Sequence, residues 1–299
     1  MEKISYIKSS DRFYNVQRSL SLIKSEIIAG IKDAKRVVVK PNCTSEYVKL
    51  ASTHVDALSA VFDFIRPYVS GQITLAEGSE IGDTVEAFKK FGYLNLQTKY
   101  DLALVDLNND DWIEIPLIDR NEKVFSVKFS KTIAESDYLI SVSPPKTHNA
   151  VVYTGAIKNV AVGSLIRGGD RFGLLNRLIK TKNNKQLIHQ GYHATNENIR
   201  RLAEYFDIKL AVLDGFEAMQ GNGPINGELV PAHFAIASSN AIASDALACK
   251  LMGIKIDDVG YLSLLGADLT DSFVIGDDPE KNIINFKMHS DFEKMRQWR

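Results

Sequence analysis

The segment Lys146-Thr147-His148-Asn149-Ala150-Val151-Val152-Tyr153-Thr154-Gly155-Ala156-Ile157-Lys158-Asn159 gathers two lysines, a histidine, two asparagines and a threonine–glycine pair in one short run. It follows Tyr138-Leu139-Ile140-Ser141-Val142, an apolar run that reads as a buried strand. Open α/β sheets hold ligands at the carboxyl ends of such strands. Imidazole titrates near neutral pH and can give or take a proton there. Lys146 and Lys158 would neutralise an anionic group, with Thr154 and Asn159 as polar contacts. Gly155 permits positive φ or the close approach of a ligand. The amides that open the next helix would offer N–H groups to an anion. The other reading of Lys158 is an exposed surface lysine.

Three further strand ends share the design of an apolar run followed by polar or glycine residues: Lys40-Pro41-Asn42, Glu77-Gly78-Ser79 and Asp214-Gly215. In a parallel sheet these ends lie along one edge, so Lys40, Asn42, Glu77 and Asp214 would converge with the opening motif. Any parallel sheet has polar loops there, but lysines and a histidine are more than turn chemistry requires. Thr53 is a candidate N-cap at a helix start. His54 beside it is either first-turn surface or a proton donor and acceptor.

His189 and His193 would share one face if they sat on a helix, a spacing that suits a metal. Gly191 between them weakens that helix, and no carboxylate or cysteine stands at third-ligand spacing. Glu217 to Gly227 is glycine-rich and contains Asn222. It lacks the endings of a phosphate loop and of the dinucleotide fingerprint. It reads as a lid, a backbone binding loop or a plain long turn. Cys43, next to Asn42, is expected to be structural.

The elements that must position these residues alternate. Val16, Leu20, Ile23, Ile27 and Ile31 recur at helical spacing, and Arg36–Val39 is a short β-branched strand. A helix is expected from Thr53 to Ile65 with Pro67 near its end, then a strand Ile73–Ala76. Asp83 would cap a helix that stops near Gly92. Leu102–Val105 is a strand, and Trp112–Ile118 with Val124–Phe129 suggests a hairpin or edge pair, Pro116 favouring the edge. Helices are expected from Gly155 through Val162, over Asn196–Phe206 and over Ala241–Met252. Strands are expected at Leu210–Leu213 and Phe234–Ala237. Gly163 to Lys185 is the least legible stretch, and Lys180–Lys185 reads as a solvated basic loop. The fold class is α/β, a mainly parallel sheet with helices on both faces. The chain, 1–299, reads as one such unit, with a second lobe conceivable around 106–130.

Composition narrows the function. The net charge of −1 has no basic excess, so no nucleic-acid partner is expected. No apolar run approaches the roughly 20 residues that span a bilayer, so no membrane is expected either. Two cysteines far apart cannot supply a four-thiolate cluster. They fit a reducing compartment, and Met1–Tyr6 lacks the layout of a signal peptide, so the expected location is cytoplasmic.

The ordered set Val39-Lys40-Pro41-Asn42, Thr53-His54, Lys146-Thr147-His148 through Lys158-Asn159, Asp214-Gly215, Gly221-Asn222-Gly223-Pro224 and Ser244-Asp245 resembles the family called domain of unknown function 362, from Lys40 to Gly253. Many relatives carry an added cysteine-rich ferredoxin-like part. This chain has none, so no iron–sulfur cluster is expected of it. His148, Thr154-Gly155 and Lys158 are also similar to a pattern of the nickel-pincer lactate racemase family. There a histidine serves in proton or hydride chemistry and a downstream lysine tethers the cofactor. Thr53-His54 is similar to another catalytic histidine segment of that family. The resemblance implies His54 and His148 as an acid–base pair, and Lys158 as the holder of a cofactor or anionic substrate. For a metal it leaves only His189 and His193 as loose candidates. The expected function is a small-molecule enzyme using histidine acid–base chemistry on a carboxylate-type anion, in the manner of a racemase or epimerase. The alternative is a non-catalytic binding protein for an anionic metabolite or cofactor.

Overall fold

A computed structural model describes residues 2–168 and 183–299. Val37-Val38-Val39-Lys40 is buried at every position because both faces of its strand are covered. Val37 and Val39 join one apolar cluster, and Val38 the other. The same alternation runs through Tyr138, Ile140 and Val142 on one face with Leu139 on the opposite face. Strands covered on both sides read as continuous apolar runs, which is why they were conspicuous in the sequence.

Eight strands form the main sheet: β1 (Glu2–Lys8), β2 (Val37–Lys40), β3 (Ile73–Glu77), β4 (Leu102–Asp106), β7 (Tyr138–Ser143), β10 (Ile208–Gly215), β13 (Phe234–Ser238) and β14 (Ser272–Gly276). Their order is β14-β1-β13-β10-β7-β2-β3-β4. The run from β10 to β4 is parallel throughout, and β14 is parallel to β1. Only β13 runs antiparallel to its neighbours. Helices Arg12–Leu22 and Val55–Ile65 cover one face. Helices Ala156–Gly163, Tyr192–Leu202 and Ala241–Leu251 cover the other. The chain is therefore an α/β protein with a mainly parallel sheet between helical layers.

The ribbon β5 (Trp112–Ile118) and β6 (Val124–Ser130) pairs antiparallel, with Pro116 opposite Ser126. Its Ile115, Leu117, Val127 and Phe129 enter the core shared with Val160 and Leu247. A small sheet, in the order β12-β11-β8-β9, sits at the strand ends. It consists of β8 (Lys146–His148), β9 (Val152–Thr154), β11 (Ala218–Asn222) and β12 (Asn226–Val230).

Several expectations are corrected. The first helical pattern is two helices, Arg12–Leu22 and Lys24–Ile31, because Ile23 leaves the helical region at φ −114°, ψ 25°. The glycine-rich stretch is neither lid nor long turn but the β11–β12 hairpin, with Gly221 opposite Gly227. The helix expected from Asn196 begins at Tyr192, where Gly191 at φ 100° caps it. Strands β1 and β14 were not anticipated. The expectations for residues 169–182 lie outside the described residues.

Candidate active site

From β2 the chain builds outward through β3 and β4, then returns to set β7 on the other flank of β2. A crevice opens outside the carboxyl ends of the strands where the order reverses in this way. Here it holds a cavity of about 60 Å³. That is room for a few water-sized groups. Asn42, Glu77, Lys146, His148, Thr154, Lys158 and Asn159 all line it.

Lys40 lies beneath the cavity, fully buried. Its Nζ donates to Glu77 Oε2 at 2.9 Å and to the Pro41 carbonyl at 3.3 Å. Glu77 also accepts from the backbone amides of Cys43 at 3.1 Å and Gly78 at 2.8 Å. A buried ion pair requires partners for its remaining valences, and this one has them. Lys40 is thus committed to Glu77 rather than free to neutralise a ligand, which corrects the expectation for it. Asn159 ties the floor together. Its Oδ1 accepts from Asn42 Nδ2 at 3.0 Å, and its Nδ2 donates to Ser141 Oγ at 3.0 Å. Cys43 is buried between the hydroxyls of Ser52 and Ser79. Burial, then Glu77, pushes its thiol up to about 12, so it is structural rather than reactive.

Lys146 Nζ donates to Asn42 Oδ1 at 2.7 Å and to the Ala51 carbonyl at 2.6 Å. Burial, then the charge of Lys158, lowers its pKa to about 7. Lys158 Nζ stands 2.9 Å from His148 Nε2, and burial lowers its pKa to about 8. His148 Nδ1 accepts the Ala150 amide proton at 3.0 Å. A ring nitrogen that accepts carries no proton, so His148 is neutral with its proton on Nε2. Burial, then Lys158, holds its pKa well below the usual histidine value. With Nε2–H as the donor, Lys158 accepts as the unprotonated amine, the form that predominates above about pH 8.

Lys185 is also buried, against the expectation of a solvated loop. Its Nζ donates to the carbonyls of Gly78 and Gly163, both at 2.7 Å. The second closes the carboxyl end of helix Ala156–Gly163, where cations are favoured. The amino end of that helix is closed as well. Asp245 accepts from the amides of Ala156 at 2.7 Å and Ile157 at 3.0 Å. The anion served by these amides is the protein's own carboxylate, not a ligand. Gly155 has φ −144°, so positive φ is not its reason. A Cβ there would lie 2.2 Å from Asp245 Oδ1.

The remaining candidates are elsewhere. Thr53 is buried, with its hydroxyl donating to the Val142 carbonyl at 2.7 Å and accepting the Asn42 amide at 2.8 Å. It ties β7 to the loop after β2. The helix cap expected of Thr53 is made by His54, whose Nδ1 accepts the Asp56 amide at 3.2 Å. His54 and Asp214 line a second pocket of about 340 Å³ with Arg12, Lys49 and Glu217. His54 and His148 are therefore not brought together. Burial, then Arg12, lowers the His54 pKa. Burial raises that of Asp214 to about 6 in spite of its ion pair with Arg12 at 3.2 Å. Asn222 is exposed on the β11–β12 hairpin, and its Oδ1 accepts from Ser290 N at 3.2 Å.

His189 stands before the helix that contains His193, so the two share no helical face. The His189 ring lies parallel to that of His148, with centroids 6.4 Å apart, at the mouth of the cavity. His193 Nδ1 contacts the Trp298 carbonyl at 3.1 Å. Among the described residues no group of three or more His, Cys, Asp or Glu stands close enough to hold a metal. The donor set of the described residues does not fit a resident metal.

Thr44, Glu80, Lys185, His189 and Pro224 line the cavity without having been assigned to it from the sequence. Glu80 was one position beyond a strand-end motif and could have been found. Lys185, in an asparagine–lysine run, carried no signal.

Residues 37–250 match the family described as Domain of unknown function (DUF362), and the chain belongs to that family. A comparison with curated proteins gave no match. Among solved structures, the lactate racemase apoprotein from Thermoanaerobacterium thermosaccharolyticum is similar at 15% identity with a TM-score of 0.46, over 83% of this chain and 56% of that one. A protein from Thermotoga maritima is similar at 11% identity with a TM-score of 0.41, over 73% of this chain and 54% of that one. This chain thus spans little more than half the length of either.

Proposed function

We propose that the protein is an enzyme acting on a small carboxylate-type anion, with Lys158 as the group that exchanges a proton with it and His148 as the hydrogen-bond donor beside it. The observation that carries this reading is the 2.9 Å contact between Lys158 Nζ and His148 Nε2 inside the cavity. Because Ala150 occupies Nδ1, one partner presents an N–H and the other a lone pair: a donor and an acceptor already matched. Lys146 faces the same cavity and supplies positive charge for the carboxylate. Removing a proton beside a carboxylate and returning it is racemase- or epimerase-like chemistry: Lys158 takes the proton as the amine and returns it as the ammonium, while the neutral His148 Nε2–H donates a hydrogen bond to the developing negative charge. His54 lines the other pocket and has no part in this reading.

The test is proton exchange. The protein is incubated in deuterated water with small 2-hydroxy and 2-amino acids, and loss of the proton on the carbon beside the carboxylate is followed by NMR. Exchange that disappears in His148→Ala and Lys158→Met supports the proposal. Saturable binding without exchange across the panel overturns it in favour of a non-catalytic anion-binding protein.

A further inference from the structure

We propose that Lys158 is a nucleophile that condenses with the carbonyl group of a small 2-oxo acid to form an imine. This goes beyond proton exchange but rests on the same reading of the cavity as a carboxylate site.

The geometry points to the amine rather than to the imidazole. A lysine attacks a carbonyl only as the free amine. The Ala150 amide holds His148 in the tautomer whose Nε2–H faces Lys158, and that contact is compatible with an amine and not with an ammonium. Burial favours the same state, since it destabilises the charged form. Lys146 is better placed to take the carboxylate: it lines the cavity and is anchored to Asn42 and Ala51 through two of its hydrogens. Protonated, it has a third to donate. A 2-oxo acid carries its carboxylate and its electrophilic carbon on adjacent atoms, which suits two lysines on one cavity of about 60 Å³.

The step balances without a further reactant. The Lys158 nitrogen forms a bond to the carbonyl carbon, and the π pair moves onto oxygen, where His148 Nε2–H can donate a hydrogen bond. The two amine protons end on that oxygen, the C–O bond breaks, and water leaves the C=N imine behind.

Sodium cyanoborohydride reduces an imine to a stable secondary amine, adding hydride at carbon and taking a proton from water at nitrogen. The protein is treated at pH 8 with glyoxylate or pyruvate and this reductant, and the adduct is located by intact mass and peptide mapping. The expected result is a saturable single adduct on Lys158, slowed by excess acetate and absent from Lys158→Arg and Lys158→Met. Acetate protection in the unmodified chain keeps the test valid where a variant fails to fold. Labelling scattered over surface lysines, or a Lys158 peptide modified no faster than they are, overturns the proposal. Deuterium exchange without an adduct sinks the imine and leaves proton exchange standing. An adduct without exchange does the reverse.

Discussion

Lys40 and Glu77 face each other at 2.9 Å beneath the cavity, and neither side chain is more than 3% exposed. They join β2 to β3, so the pair fixes the spacing of the two strand ends that carry Asn42 and Gly78. Breaking a buried pair from one side leaves an uncompensated charge, at a cost of about 3–5 kcal/mol. The two sides are unequal, because Glu77 also holds the Cys43 and Gly78 amides. Glu77→Gln is expected to lose about 3–5 kcal/mol in urea unfolding. Lys40→Met is expected to lose less, since the carboxylate keeps its two amide donors. Equal losses would show that those amides contribute nothing.

The protonation state of Lys158 gives a pH dependence with a definite sign. The amine is the competent form, and its pKa is lowered to about 8. Turnover is expected to rise as pH increases through about 8 and to level above it. His148, held well below its usual value, adds no second rise between pH 6 and 9. Either His148→Ala or Lys158→Met is expected to reduce kcat by about 10²–10⁴-fold. A kcat that falls over this range would place the needed proton on Lys158 instead.

Lys146 is expected to take up a proton when an anion binds. Its pKa of about 7 in the free protein means that it is largely neutral at pH 8 and largely charged at pH 6. A carboxylate beside it favours the charged form and raises that value. Isothermal titration with a small carboxylate in buffers of different ionisation enthalpy should show net uptake at pH 8 and almost none at pH 6. Lys146→Met should remove the uptake and weaken binding. Uptake that persists in Lys146→Met would assign the proton to another group.

What the sequence disclosed follows the physics of burial. Strands covered on both faces, such as Val37–Val39 and Leu210–Leu213, announce themselves as apolar runs, and their polar ends mark one sheet edge. The motif from Lys146 to Asn159 could therefore be placed without coordinates. The partition of that edge into two pockets could not, because it depends on how the loop Lys49–His54 folds. That loop turns Lys49 and His54 toward one pocket while its Ala51 carbonyl holds Lys146 in the other. Nor could helical spacing reveal that Asp245, 88 residues beyond Ile157, occupies the helix end where a ligand was expected.

The same partition yields a prediction about His54. It caps helix Val55–Ile65 through Nδ1, so His54→Ala should cost about 0.5–2 kcal/mol of stability. Its effect on turnover should be far smaller than that of His148→Ala. The kinetic effects of the two replacements should also multiply, as for groups that share no partners. A His54→Ala loss of turnover as large as that of His148→Ala, with no further loss in the double variant, would show that both histidines serve one step.

Gly155 and Asp245 make the last case. The Asp245 carboxylate accepts from Ala156 N and Ile157 N, and also from the Tyr153 hydroxyl at 3.0 Å. It can approach this closely because residue 155 has no side chain. An added Cβ would stand 2.0 Å from the Tyr153 oxygen as well as 2.2 Å from Asp245. Gly155→Ala must push both away and uncap the helix that carries Lys158. Asp245→Asn keeps one acceptor and turns an NH2 group toward the other amide, at a cost of about 1–3 kcal/mol. Gly155→Ala should cost at least as much. The double variant should be less destabilised than the sum of the two, because the first change has already broken what the second removes. Both should lower turnover through the position of Lys158, and the rise with pH near 8 should shift once the helix is free to move. Strict additivity of the two stability losses in chemical denaturation would mean that Gly155 is required for some reason other than the approach of Asp245.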